Sequence, residues 1–164
     1  MYTRMRSRIR KQAGLVSPAA LLLAAALSLI LPANAGATDD SIALRTQKPL
    51  EHVIFDLEYA ASVHNFTLVG RNSMSDAMRH AGAEEPPESI VLQMCQMDAV
   101  RRVLEADPAM IRYMPCRVAA YQDGEEVVVT TLLIPEDSGD EDTDAAAREL
   151  NELMKQIVRY GAEP

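Results

Sequence analysis

"RYMPCRVAAYQDGEEVVV", residues 112–129, decides the fold. Asp123-Gly124 separates two β-rich runs, 116–122 and 126–134, and Asp-Gly in that setting is among the strongest short hairpin signals. Pro115 ends any preceding helical turn, because a proline biases the residue before it (here Met114) away from helical angles. Cys116 therefore opens a strand, 21 positions after Cys95, the only other cysteine.

Upstream of the hairpin, "SIVLQMC" (89–95) is apolar enough for another strand, with Ile90, Leu92 and Met94 on one side and Val91, Gln93 and Cys95 on the other. A helix from Gln96 carries Met97, Val100 and Leu104 on one face and stops near Asp107-Pro108. Asp107 can cap a further short turn over 109–114, with Pro108 in its first position. Earlier still, Pro49 can start a helix whose Leu50, Ile54, Leu57 and Ala61 form an apolar stripe. "NFTLVG" follows as a short strand stopped by Gly70. "SMSD" (73–76) has capping-box spacing and opens a short helix ending near Gly82. The two prolines of "AEEPPE" make a loop.

Downstream, 136–143 is an acidic linker and 144–164 a C-terminal amphipathic helix, with Ala147, Leu150, Met154 and Ile157 on its apolar side. The order α-β-α-β-α-β-β-α predicts one α+β domain. Its sheet is expected to be four-stranded and mixed, with helices packed on one face.

The first 35 residues stand apart. Arg4, Arg6, Arg8, Arg10 and Lys11 precede an apolar run from Gly14 to Leu31, and Ala33-Asn34-Ala35 is a small-x-small cleavage site. That is the anatomy of a secretory signal peptide, so the chain is expected to be periplasmic or secreted and cleaved near Ala35. An uncleaved anchor is the alternative, since the apolar run approaches spanning length. Residues 36–48 read as a flexible leader and 49–135 as the core of the domain.

All 24 acidic residues lie beyond residue 35, with 11 of the 16 basic ones, so the exported part carries a net charge of −13. Nucleic acid and anionic membrane surfaces both reward Lys and Arg, and this balance argues against them as partners. A small ligand or a basic protein partner is compatible with it.

The segment "MCQMDAVRRVLEADPAMIRYMPCRVAAYQDGEEVVV" resembles the signature half of domain-of-unknown-function family 302. The resemblance rests on Cys95 at a strand end, Ala99 in the helix, Asp107-Pro108, Pro115-Cys116 and Val118 leading into the hairpin, and it extends over about residues 50–135. It implies an α+β fold and is silent about activity. Many members of the family have Asn-Pro after the first cysteine and Asn after the second. This chain has Gln96-Met97 and Arg117 there, so any pocket shaped by those asparagines is altered.

Cys95 and Cys116 admit several readings. An even cysteine count in an exported chain suggests a disulfide. If 96–115 returns antiparallel, the two Cα atoms are expected within about 6 Å, which permits a bridge. A parallel crossover would keep them apart. Two small buried core residues, or a pair kept close for ligand binding or reactivity, are the other readings. Met94, Met97 and Met114 flank the cysteines, and soft sulfur donors select Cu(I), so Met94, Cys95, Met97, Met114 and Cys116 form an alternative metal set. The stronger reading is core filling, since Met94 and Met97 both fall on predicted core faces. His52, His64 and His80 are scattered, without ligand spacing, and read as surface or capping residues.

No catalytic motif is present, and the sequence names no cofactor. The chain is therefore expected to be a non-enzymatic, exported small-molecule-binding or accessory domain. Its ligand site is expected around Cys95, Pro115, Cys116 and Arg117. A redox or Cu(I)-handling protein using the cysteine pair is one alternative, and an acidic interaction module is the other.

Overall fold

The computed structural model describes residues 41–164, and the expected signal segment and the first part of the leader lie outside them. The chain runs β1 (Ser41–Thr46), α1 (Leu50–Val63), β2 (Thr67–Ser73), α2 (Met74–His80), β3 (Ser89–Cys95) and α3 (Met97–Ala106). A 3-10 helix (Pro108–Tyr113), β4 (Cys116–Asp123), β5 (Glu126–Leu132) and α4 (Glu141–Ala162) complete it. Among the described residues no helix is long and apolar enough to cross a membrane.

The strands form one five-stranded sheet in the order β1-β5-β4-β3-β2, and every neighbouring pair is antiparallel. Both the strand count and the mixed character expected from the sequence are corrected by this. The fifth strand comes from the supposed leader. Its residues alternate, with Ile42, Leu44 and Thr46 turned inward between exposed Ser41, Ala43 and Arg45. Pairing with β5, which would otherwise be an edge, makes this small, polar-looking segment a strand. The connection from β3 to β4 climbs through α3 and returns through the 3-10 helix, so these strands run antiparallel.

Two local signals act as the sequence predicts, and a third does so with its turn moved by one residue. Ser73 Oγ accepts the Asp76 N–H at 3.0 Å and caps α2. Asp107 Oδ1 accepts the Ala109 N–H at 2.9 Å and caps the 3-10 helix. The hairpin closes with Asp123 opposite Glu126, so its two loop residues are Gly124 and Glu125, one position later than the Asp-Gly pair. Gly124 has φ +64° while Glu125 keeps a negative φ, the pattern of a II′ turn with glycine at its first central position.

Two boundaries move. Gly70 does not stop β2. A bulge at Val69 takes up one residue between Leu68 and Gly70, and pairing with β3 resumes to Ser73. The acidic stretch is not wholly linker either. Asp140 Oδ1 accepts the Thr143 N–H at 2.8 Å and its hydroxyl at 2.7 Å, which starts α4 at Glu141. Glu141, Asp142 and Asp144 in the first turn suit the positive end of the helix dipole.

One face of the sheet carries the core. Leu92, Met94, Val118, Ala120, Val127 and Val129 meet Val53, Ile54 and Leu57 of α1, Val103 of α3, and Leu150, Met154 and Ile157 of α4. Phe66 is the one phenylalanine in this cluster, so cohesion is aliphatic, at about 1.5–3 kcal/mol for each fully buried large side chain. Helices α1, α3 and α4 therefore cover this face. The opposite face, which bears Gln93, Arg117, Ala119 and Tyr121, contributes nothing to that cluster.

Candidate functional site

The open face of the sheet is written by register. Gly70 pairs with Gln93, and Gln93 pairs with Arg117, so these three residues form one row across β2, β3 and β4. The next row runs Asn72, Val91, Ala119, with Ala119 paired in turn with Thr130. Strand alternation sends all of these side chains away from the helices. Helix α2 leaves the end of β2 and borders the rows, and an open cleft of about 630 Å³ lies between them. Arg71, Asn72, Asp76, His80, Gln93 and Arg117 supply its polar lining, and Met74, Ala77 and Val91 its apolar lining.

Gly70 is required here by close approach. A Cβ on Gly70 would lie 2.7 Å from Gln93 Oε1, so the bare backbone makes room for the glutamine side chain to lie across β2.

Most charges around the cleft are neutralised locally. Arg71 Nη1 lies 2.7 Å from Glu58 Oε1, and Arg79 Nη1 lies 2.7 Å from Asp76 Oδ1. Asp76 is held below the usual carboxylate range, first by its hydrogen bond with Ser73 and then by Arg79. Arg79 also reaches Glu88, which accepts from buried Ser75 at 3.0 Å, and this tethers α2 to the start of β3. Among the described residues, the side chains of Arg117, Gln93 and Asn72 have no hydrogen-bonding or ionic partner, and His80 adds to the positive field that holds Asp76 low.

The site expected from the sequence divides. Pro115, Cys116 and Arg117 line a cavity of about 40 Å³ together with Tyr113, Asn151 and Met154, and Cys95 does not reach it. A single water occupies about 30 Å³ in the liquid, so that cavity is the wrong size for a metabolite. Arg117 alone also faces the large cleft.

Both cysteines are free, so of the readings open for the pair the disulfide is not formed. They do sit on adjacent antiparallel strands, but Cys116 lies opposite Met94, not opposite Cys95. Alternation then turns Cys95 to the other face of the sheet from Met94 and Cys116. The soft-donor set is divided in the same way. Met94 is fully buried in the core, while Met97 is 60% exposed on α3 and not on the core face expected for it. Met114 packs partly against the core. Among the described residues no three His, Cys, Asp or Glu side chains gather to hold a metal.

Burial raises the Cys95 thiol and pushes the Cys116 thiol up to about 12, so neither is a ready thiolate. A folded-state value raised above the unfolded one contributes stability that is fully present below about pH 9 and is lost as the pH climbs towards about 12. Cys116→Ala is therefore expected to flatten the alkaline fall in stability, read as urea midpoints between about pH 8 and 11. A fall of unchanged steepness would show that Cys116 is not its source.

His80, Asn72, Arg71 and Gln93 escape a reading of the sequence. They lie in three separate segments; the β2–β3 register brings Arg71, Asn72 and Gln93 together, and the helix that follows β2 adds His80. The available signal was alternation, which already set Gln93 opposite the core-facing Leu92 and Met94.

A five-stranded antiparallel sheet with one helix-covered face and one open, polar-edged face defines a two-layer α+β domain. The chain belongs to the family described as "Domain of unknown function DUF302", whose model matches residues 42–160. A crystal structure of an uncharacterised conserved DUF302 protein from Bacillus stearothermophilus has a similar fold, with a TM-score of 0.68 at 14% identity. The match covers 75% of this chain and 98% of that one. Among curated proteins, none matches this sequence.

Proposed function

We propose that the chain is an exported small-molecule-binding domain whose site is the cleft above β2, β3 and β4. The observation that carries this reading is the convergence of Arg117, Gln93 and Asn72 on one open recess with their polar ends unpartnered among the described residues. A second cleft, of about 520 Å³ beside Lys48 and Tyr160, differs in this respect. There Lys48 is already engaged by Asp56 and by the Glu163 carbonyl. Binding suits the sheet cleft better than catalysis. Its one carboxylate, Asp76, is ionised and occupied by Ser73 and Arg79, which makes it a poor proton acceptor.

Export rests on the basic stretch, the apolar run and Ala33-Asn34-Ala35. Protein recovered after export from a bacterial host is expected to begin at Gly36 by mass spectrometry. Titrated with mixtures of small metabolites, it is expected to show amide NMR shifts clustered at Asn72, Gln93 and Arg117. Protein that stays in the cytoplasm would overturn export, and exported protein that retains residues 1–35 would overturn cleavage in favour of an anchor. Shifts confined to other surfaces, or turnover of any mixture component, would overturn the binding assignment.

A further inference from the structure

We infer that the ligand of the sheet cleft is an organic monocarboxylate with a short apolar body, its carboxylate held by Arg117 and Gln93. This deepens the binding reading above and rests on it. The charge of the ligand follows from what surrounds the cleft. On β2, Arg71 is balanced by Glu58 at 2.7 Å. On α2, Asp76 is paired with Arg79 at 2.7 Å, and Arg79 is shared with Glu88, which does not line the cleft. On β3, Gln93 is neutral but has two amide N–H donors. On β4, the Arg117 guanidinium is the one permanently charged group of the lining without a counter-charge among the described residues, and His80, the other basic group of the lining, acts on Asp76.

One uncompensated positive charge matches one negative charge. A dianion would leave a second negative charge unpaired, on a domain whose described residues already carry 22 acidic and 11 basic side chains. A cation would meet the same guanidinium in repulsion. The planar fork of arginine accepts a carboxylate through two parallel N–H bonds, and the neighbouring Gln93 can add a further donor.

The apolar body follows from the rest of the lining. Val91 in the adjacent row and Met74 and Ala77 on α2 present hydrocarbon to the same recess, and Met74 is 45% exposed. An inorganic anion would leave that surface wet, whereas a chain of a few methylenes would cover it. The hairpin and the β3–β4 register hold Arg117 from the backbone, so the charge sits on a rigid element.

The test uses exported, purified protein and four probes: hexanoate, hexylammonium, hexanol and inorganic phosphate, each titrated by amide NMR. Hexanoate is expected to shift Gln93 and Arg117 and to bind more tightly than the other three. Arg117→Ala should weaken hexanoate by at least about tenfold, the usual scale for a lost charge-assisted hydrogen bond. Arg117→Lys, which keeps the charge and loses the fork, should fall between the two. Unchanged urea midpoints for both variants would confirm that folding is not the cause, and Arg117→Lys remains informative if Arg117→Ala folds poorly. Hexanol or hexylammonium binding the cleft as well as hexanoate would overturn the inference and leave the binding site standing. Phosphate outbinding hexanoate would overturn the organic part. Silence of the cleft towards all four probes would overturn this inference, and silence towards the metabolite mixtures as well would remove the site itself.

Discussion

Asn151→Leu is expected to lower the stability of the domain by about 2–4 kcal/mol, seen as a fall in the urea midpoint at constant slope. Asn151 lies on α4 and is 1% exposed. Its Oδ1 accepts the Ile134 N–H at 2.9 Å, and its Nδ2 donates to the Ile134 carbonyl at 2.9 Å and to Glu136 at 2.7 Å. The amide thus serves as the hydrogen-bonding partner of a chain segment that has just left β5 and has no further strand to pair with. Leucine fills similar space and abandons both backbone groups of buried Ile134, each at the cost of an unsatisfied polar group. Asn151→Ala should cost less than leucine despite removing more atoms, because the 40 Å³ cavity alongside gives water a place to stand in. Asn151→Asp provides the sharpest reading. It keeps an acceptor for the Ile134 N–H but sets a carboxylate against the Ile134 carbonyl and Glu136. Its deficit should be largest at neutral pH and shrink as the acid is protonated. A leucine variant as stable as the parent would show that the clamp is dispensable.

Gly161→Ala is expected to destabilise by about 1–3 kcal/mol, although alanine is the better helix former. A Cβ on Gly161 would fall 2.5 Å from Leu57 Cδ2 and 2.7 Å from its Cγ. Leu57 is fully buried on α1, so it has no free direction in which to retreat. The helix-propensity gain, about 1 kcal/mol in a helix interior, shrinks in the last turn, where Gly161 lies. The clash therefore wins. A double-mutant cycle separates the causes. Leu57→Ala alone should cost about 2–5 kcal/mol through the cavity it leaves. In that background Gly161→Ala should become neutral or stabilising, because the space it needs has been vacated. Additive losses would place the cost in the α4 backbone and not in the α1–α4 contact.

How much of this was legible in the sequence depends on the range of the signal. The capped starts of α2 and the 3-10 helix, the apolar stripes of α1 and α4, and the hairpin are local, and all were readable within a few residues. Strand β1 was hidden because its alternation of Ile42, Leu44 and Thr46 is short and sits beside a flexible-looking stretch, and its partner lies more than 80 residues away. The bulge at Val69 was hidden for a related reason, since glycine in a strand can mean a stop or a close approach and only Gln93 across the sheet decides which. The cleft was the least legible feature. Cysteine and proline drew attention to the Cys116 corner, whereas the cleft is assembled by register from residues with no motif among them. Arg117 belonged to both readings because it is a charged residue one step past a strand start, on the face opposite the core.

The pairing of the first strand with the last also fixes where the domain begins. A chain trimmed to Pro49, the boundary that helix-start chemistry alone would choose, would keep every helix and lose the partner of β5. Val127, Val128 and Val129, now flanked on both sides, would then form the outer rim of the sheet. Three consecutive valines with open N–H and C=O groups are a template for edge-to-edge association with another molecule. Six unremarkable residues, SIALRT, thus act as the selvedge of the sheet, and their contribution is to solubility as much as to stability.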